Sequence, residues 1–479
     1  LLHSALGVDS LDALREAALA GKLRTVKGLG AKFEASVLDA LERGLADRQA
    51  PRLLLPKALA LGQALADGLT EAGGEGTEVR IAGSARRMAD SVKDIDLIAV
   101  TRKPVTLAKG LASLPEVEQV ASAGKAGARG RSHSGVSIDL RIAKPTQVGN
   151  LLQHFTGSGK HNAALREAAV RAGLHVSEYG VSDDATGTTT TCASEQEVYA
   201  LLGLAYIEPE LREDRGELAA ASLSSQPETP GLPHLIELSD IKGDLHCHTV
   251  ASDGHHTIEE MAFAARERGY EYVAITDHSA SHGFGDDVSP QELGLQIERI
   301  REVDASLEGI KVLAGSEVNI LPDGSLDYKD DLLAELDWVI ASVHTAFGMS
   351  EQAMTERMIA AVEHPLVDAI GHPTGRLIER REPYALDVSA LIEAAVRTGT
   401  MLEINANPER RDLNDIHARA AARAGVQILI DSDAHWIERF EAMRWGIATA
   451  RRAWLTAQDV ANTRPWAEFA KLGKRGRAE

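Results

Sequence analysis

The chain has 479 residues, 44% hydrophobic and 25% charged, with a formal net charge of −20; its length calls for roughly two to four domains and its composition is that of an ordinary soluble protein. No apolar run reaches the length of a membrane span, no signal peptide is legible, and two cysteines, Cys192 and Cys247, exclude a disulfide framework and point to a reducing cytoplasm. The acidic total hides a local excess of base, because residues 80–145 hold 12 basic against 6 acidic side chains, and a polyanion meets local potential.

In chain order, residues 1–45 read as short helices around VKGLGAKFEASVL, where Gly28 and Gly30 make a G-x-G turn beside Lys27 and Lys32. The amides of such a turn, feeding a helix N-terminus, suit a DNA phosphate; a plain tight turn is the alternative. Residues 53–72 have helical periodicity, GGEGTEV reads as a loop, and EVRIAG, DIDLIAV and GVSIDLRIA read as strands. Asp94 and Asp96 are two apart on a strand and share a face. Like charges that close raise each other's pKa unless a cation lies between them. With Asp139 on a third strand they would suit two Mg2+ ions, although solvated acids on an edge strand are the bland alternative. Gly83 and Ser84 end the strand before them, where backbone N–H groups and a hydroxyl can cradle phosphate, with Arg87 near to neutralise it.

These stretches resemble the family X DNA polymerases: GSARRMADSVKDIDLI and the later Asp139 are similar to the palm motifs, and HFTGSGKHNAALREAA at 154–169, running on to VYALLGLAYIEPELRED, is similar to the thumb. The resemblance implies that Asp94, Asp96 and Asp139 bind a pair of Mg2+ or Mn2+ ions and that the third acid activates the primer 3′-hydroxyl. It implies that Gly83, Ser84 and Arg87 meet the triphosphate, and that Phe155 and Gly157 pack by the sugar. Asn162 would then face the minor-groove edge of the base and Arg166 the template strand. His154 stands where eukaryotic relatives have Tyr, which leaves ribonucleotide discrimination open. The Gly28–Gly30 turn resembles a helix-hairpin-helix; a second hairpin and the lyase region of the family are absent from this sequence, so deoxyribose-phosphate lyase activity is not carried over.

Residues 211–235 are polar and rich in Ser and Pro, and read as a linker. Beyond it come seven short apolar strands, KGDLHCH, YEYVAITDH, KVLAGSEVN, DWVIASVH, DAIGHP, MLEINAN and QILIDSDAH, most separated by helix-length segments, which implies a parallel sheet closed into a barrel. Six of the seven end on His, Asp or Glu: His246 and His248, then His278, Glu317, His344, His372, and finally Asp433 and His435, with Asp253 joining from the first loop. In such a barrel all these ends meet at one mouth. Nine ligands exceed the needs of one ion, whereas two or three ions bridged by Glu317 use them all. Clustered ions suit phosphoester hydrolysis, and mixed imidazole and carboxylate donors suit Zn2+ or Mn2+. Asp277 faces the other way by alternation and reads as support.

Residues 240–435 resemble the polymerase and histidinol phosphatase (PHP) domain, a distorted seven-stranded βα barrel with up to three ions. The resemblance assigns His246, His248, Glu317 and Asp433 to one ion, Glu317, His344 and His372 to a second, and Asp253, His278 and His435 to a third. The expected organisation is multidomain α/β: a helix-hairpin-helix at 1–50, a nucleotidyltransferase palm at 51–145, an α+β thumb at 146–212, a linker at 213–237 and the PHP barrel at 238–479. The expected activity is gap-filling DNA-templated polymerisation in repair, with a 3′→5′ exonuclease in the barrel; abasic-site cleavage and 3′-phosphate removal stay open. Alternatives are a barrel without turnover and a small-molecule phosphatase of the histidinol phosphatase type. Expected partners are gapped DNA and dNTPs, with no membrane, for a monomer in the cytoplasm at the nucleoid.

Overall fold

The computed structural model describes residues 51–223, 231–281, 283 and 287–474, and before them 6, 8, 11–26, 29, 30, 34, 37 and 38. Gly28, Lys27 and Lys32 lie outside the described residues, while Gly30 is described and exposed. Among the described residues no helix is long and apolar enough to cross a membrane.

The first half is built on a five-stranded sheet of β1 (Glu78–Ile81), β2 (Asp94–Val100), β3 (Val117–Gly124), β4 (Gly127–Ser132) and β5 (Ser137–Ala143), in the spatial order β1-β2-β5-β4-β3. Only β2 and β5 run parallel, and their register sets Asp96 directly beside Asp139. Helix α1 (Leu55–Gly73) covers one face through Ala58, Leu65, Ala66 and Leu69, residues at helical spacing that join Ile95, Leu97, Ile138 and Leu140 in one core. The β3–β4 hairpin has no counterpart among the expected strands. Its residues, VEQVASAG and GARGRS, are mostly exposed or half-buried, so no apolar alternation marks them.

Two helices, α2 (Val148–Thr156) and α3 (Gly159–Arg171), follow, then a small antiparallel sheet of β6 (Leu174–Ser177), β7 (Gly180–Asp183) and β8 (Thr189–Thr190), and α4 (Glu195–Leu201). The Ser158 hydroxyl accepts from the His161 amide and starts α3.

The span expected as a linker, 213–237, is packed structure at both ends. Glu213 and Glu217 are tied into ion pairs, Ala221 is buried, and Leu235 and Ile236 are core residues. Polar composition hid this, because the acids are satisfied by bases distant in sequence.

The second half is a seven-stranded parallel sheet: β9 (Gly243–Cys247), β10 (Tyr272–Ile275), β11 (Lys311–Asn319), β12 (Trp338–Ser342), β13 (Ala369–Ile370), β14 (Met401–Asn405) and β15 (Ile428–Asp431), neighbours in chain order. It nearly closes, with the His248 amide donating to the Ala434 carbonyl at 2.8 Å across the seam. Helices α5 (Ile258–Glu267), α6 (Pro290–Ser306), α7 (Glu351–Glu363), α8 (Val388–Thr398), α9 (Asp415–Ala424) and α10 (Met443–Arg452) surround it. Leu245, Tyr272, Leu313, Trp338, Met401 and Leu429 form a separate apolar cluster, and Phe469 stacks on Tyr272. The opposite, C-terminal strand ends carry polar side chains, and that contrast fixes the functional mouth.

The halves meet at a joint rich in arginine. Arg452 donates to Glu213 and to the Arg87 carbonyl, and pairs with Asp415. Arg376 and the buried Arg411 both reach Asp90, and Arg411 also donates to the Met88 carbonyl.

Candidate functional site

At the barrel mouth, Glu317 near the end of β11 is the centre. Its Oε1 lies 2.9 Å from His372 Nε2 and 3.2 Å from His344 Nε2, and its Oε2 lies 2.9 Å from His278 Nδ1 and 3.3 Å from His246 Nε2. Asp433 Oδ1 sits 3.2 Å from His248 Nε2 and 3.7 Å from His246 Nε2. Asp253 Oδ2 sits 3.2 Å from His435 Nε2 and 3.6 Å from His278 Nε2. All nine residues expected as ligands therefore converge. Three groups come close enough for one ion each: His248, Asp253, His278 and His435; His246, His248 and Asp433; and His278, Glu317 and His344. These groups share His248 and His278, so their membership is not that implied by the resemblance.

The electrostatics are those of a site suited to cations. Burial opposes ionisation of Glu317, yet the imidazoles of His344, His246 and His278 hold its carboxyl well below the usual range. Asp433 is likewise held low by His246 and His248 against its burial. Burial and the neighbouring His435 and His278 push His248 down to about 4, and burial with Arg410 pushes His372 down to about 3. A neutral imidazole is the ligand form. Both ring nitrogens of His248, Nε2 of His246 and Nδ1 of His372 are buried without a hydrogen-bond partner. Orphaned buried acceptors are costly, and this donor set fits divalent ions.

Backbone strain serves the same mouth. His372 has φ 28° and Asp433 φ 53°, values an L-residue avoids and which persist where the surroundings enforce them. After Asp253, Gly254 lets the loop return, since a Cβ there would stand 2.5 Å from the His248 carbonyl oxygen.

A supporting layer lies behind the ligands. Glu403, fully buried in β14, sits 2.7 Å from His246 Nδ1 and accepts from the His372 amide. It thereby turns His246 Nε2 toward the cage. Sequence reasoning missed it; the signal available was an acid flanked by Leu402 and Ile404 in an apolar strand. Asp277 accepts from the Thr249 amide and hydroxyl, from Ser252 Oγ and from Gln296, so it braces the loop that carries Asp253. Arg410 lies at the rim with its Nε 3.7 Å from Asp433 Oδ2.

In the first half the carboxylates of Asp94, Asp96 and Asp139 line one face of β2 and β5. Burial first, then the charges of Asp94 and Asp139, pushes Asp96 up to about 7. Arg141 pairs with Asp139 at 2.9 Å and Arg129 approaches to 3.5 Å, so cationic side chains partly neutralise the triad. Gly83 has φ +65°, and a Cβ there would collide with the Asp96 carboxylate. Glycine at that position is what allows the one-turn helix Gly83–Arg86 to sit against the triad, with Ser84 half-buried beside it.

Three expected contacts are otherwise engaged. Arg87 donates to Glu213 and to the Thr156 carbonyl instead of standing open for a triphosphate. Its partner comes from the span expected as linker, which is why the pairing was invisible. Asn162 spends its amide on the His154 and Gly157 carbonyls and accepts from Gln153, so in this conformation it locks the turn after α2 and faces no base. Phe155 packs against a cluster that joins Leu151 and Leu152 of its own helix to Ala82, Ile98 and Ala143 of the palm, with the Arg141 guanidinium 5.2 Å above its ring. Arg166 is exposed on α3.

Two family models match: DNA polymerase beta thumb at residues 151–213 and the PHP domain at 244–407. The chain is 39% identical over 479 residues to the DNA polymerase/3'-5' exonuclease PolX of Bacillus subtilis, covering 99% of this chain and 82% of that one. It is 34% identical over 204 residues to a "Probable phosphatase" of Caldanaerobacter subterraneus subsp. tengcongensis, covering 40% of this chain and 75% of that one. A crystal structure of Leishmania infantum polymerase beta in a ternary complex matches with TM-score 0.32 and 20% identity, over 44% of this chain and 91% of that one.

Proposed function

The chain belongs to the bacterial family X DNA polymerases of the DNA polymerase/3'-5' exonuclease PolX type, and from that premise we propose that it extends primers at Asp94, Asp96 and Asp139 and removes 3′ nucleotides at the barrel mouth. The observation that carries the reading is the convergence of nine imidazole and carboxylate groups at the barrel mouth, Glu317 at their centre, with a second, separate triad on β2 and β5.

Both sites are metal-dependent. When bound, divalent ions lower the pKa of a water or hydroxyl and neutralise phosphate oxygens. We assign Mg2+ or Mn2+ to the triad and Zn2+ or Mn2+, up to three ions, to the cage. In the cage the two oxygens of Glu317 face different imidazoles, so it would be the carboxylate suited to bridge two ions. Glu403 fixes the His246 ring, and Arg410, partly exposed at the rim, is suited to a phosphate oxygen of the strand being cut. In the palm, Asp139 beside Asp96 is suited to take the primer hydroxyl proton, and Ser84 with the Gly83 turn to hold the triphosphate. Arg87 joins them only after leaving Glu213. Phe155 and Gly157 remain assigned to the sugar, Arg166 to the template, and Gly28 and Gly30 to duplex phosphate. The substrates are then gapped DNA and dNTPs, handled by a monomer in the cytoplasm, in repair synthesis.

The test is a pair of substitutions assayed on one gapped substrate. Asp139→Asn is expected to abolish nucleotide incorporation and leave exonuclease rates unchanged, and His344→Ala to do the reverse. Loss of both activities from either change, in a protein with unaltered melting temperature, overturns the assignment.

A further inference from the structure

Where the first half joins the barrel there is a cavity of about 350 Å3 that neither activity uses. Arg215 enters from the segment after the thumb, and Arg419 and Arg423 from α9; the wall is otherwise mostly small and apolar, with Trp454 and one acid, Asp459, whose carboxylate accepts from the Thr456 amide and hydroxyl. That volume lies within the range of small-molecule sites, about 300–1,000 Å3.

The three guanidiniums are unequally satisfied. Arg215 pairs with Asp415 at 2.9 Å, whereas neither Arg419 nor Arg423 has a carboxylate within ion-pair distance among the described residues. Arg419 donates one N–H to the Arg215 carbonyl and lies 3.9 Å over the ring of Trp454. Its Nε and the indole Nε1 of Trp454 are both buried without a hydrogen-bond partner. Trp454 itself has φ 69°, a strained value for a bulky residue, held at a cavity wall. Burial first, then the charges of Arg423 and Arg215, push Arg419 down to about 10, with Glu217 opposing them. An anion in the cavity would relieve that crowding and bridge the two halves. The small apolar wall adds room for a flat body attached to the anion.

We propose that this cavity binds a nucleotide, with its phosphate held by Arg419 and Arg423 and its base against the alanine-lined wall.

The experiment is equilibrium titration of the full chain in EDTA, which silences both metal-dependent sites, with deoxyadenosine 5′-monophosphate, deoxyadenosine and inorganic phosphate as separate probes, read by calorimetry and by tryptophan fluorescence. The expected result is saturable binding of the monophosphate, at least tenfold tighter than either fragment. Arg419→Ala should weaken it at least tenfold. Arg423→Glu, an exposed position where the fold is insensitive, should do the same, and Trp454→Phe should remove the fluorescence change. No saturable binding, equal binding of inorganic phosphate, or binding unaltered in Arg423→Glu would each overturn the proposal.

Discussion

The two regions proposed to hold divalent cations beside a phosphoester have opposite architectures. At the barrel mouth the ligands come from successive strand ends and are fixed from behind: Glu403 holds His246, and Asp277 holds the loop of Asp253. In the palm three aspartates lie on two neighbouring strands, and the compensation is supplied by mobile-length side chains, Arg141 and Arg129. A site built on convergent strand ends is preorganised by the fold; a site on one open sheet face must trade its arginines for cations when it works. The consequence is that the barrel should tolerate little, and the palm should be tuned by what surrounds it.

The sharpest way to break this comparison is Glu317→Gln. It removes the one carboxylate shared by five imidazoles, so metal analysis should show loss of at least one ion per chain. Exonuclease activity should fall about 100-fold or more, since even losing a supporting partner costs about 10–100-fold. Primer extension should be unchanged. Retention of the full metal content would sink the idea of a bridge.

The joint between the regions comes next. Asp90 faces both Arg376 and Arg411, and Arg411 is fully buried with its guanidinium pKa pushed down to about 10 by burial. Asp90→Asn leaves that guanidinium without its carboxylate, which costs about 3 kcal/mol, the lower end of the range for broken buried pairs because Asp90 is itself 30% exposed. Denaturant unfolding monitored in each half checks it, and a loss confined to one half would show that the joint does not couple them.

Glu403→Gln separates support from ligation. Metal affinity of the cage should drop about 10–100-fold while saturating metal restores exonuclease activity. If saturating metal restores nothing, Glu403 has a role beyond orienting His246.

The two regions also differed in what the sequence disclosed. Eight of the nine cage residues stand near or just past the C-terminal end of an apolar strand and Asp253 follows on the first loop, so His246, Glu317, His344 and the rest are marked by local pattern, and seven parallel strands gather them without further information. Glu403 holds the same place in β14 that Glu317 holds in β11, so position along the strand did not separate support from ligand, and only the third dimension shows it facing His246. In the palm the Asp-x-Asp pair was legible by alternation, but the partners of Arg87 and Asn162 were not. Glu213 is 126 residues from Arg87, and the carbonyls clasped by Asn162 belong to a turn whose shape no periodicity encodes. The β3–β4 hairpin escaped for the opposite reason, being exposed or half-buried on most of its positions.

Arg87 gives the smallest effect and the finest test of a tunable palm. Its clasp on Glu213 is shared with Arg452, and although burial opposes it, the charges of Arg452 and Arg87 hold the Glu213 carboxyl below its ordinary value. A depressed carboxylate contributes stability that is present above pH about 4.5 and lost as pH falls through its folded value. The melting-temperature gap between the wild type and Glu213→Gln should therefore be constant at neutral pH and shrink below pH about 4.5. At neutral pH the same substitution frees the Arg87 guanidinium, and if that side chain serves the triphosphate, KM for dNTP should fall a few-fold while kcat is little changed. A raised KM would mean that the Glu213 clasp positions the Gly83–Arg86 turn, and that the palm is as dependent on its supports as the barrel.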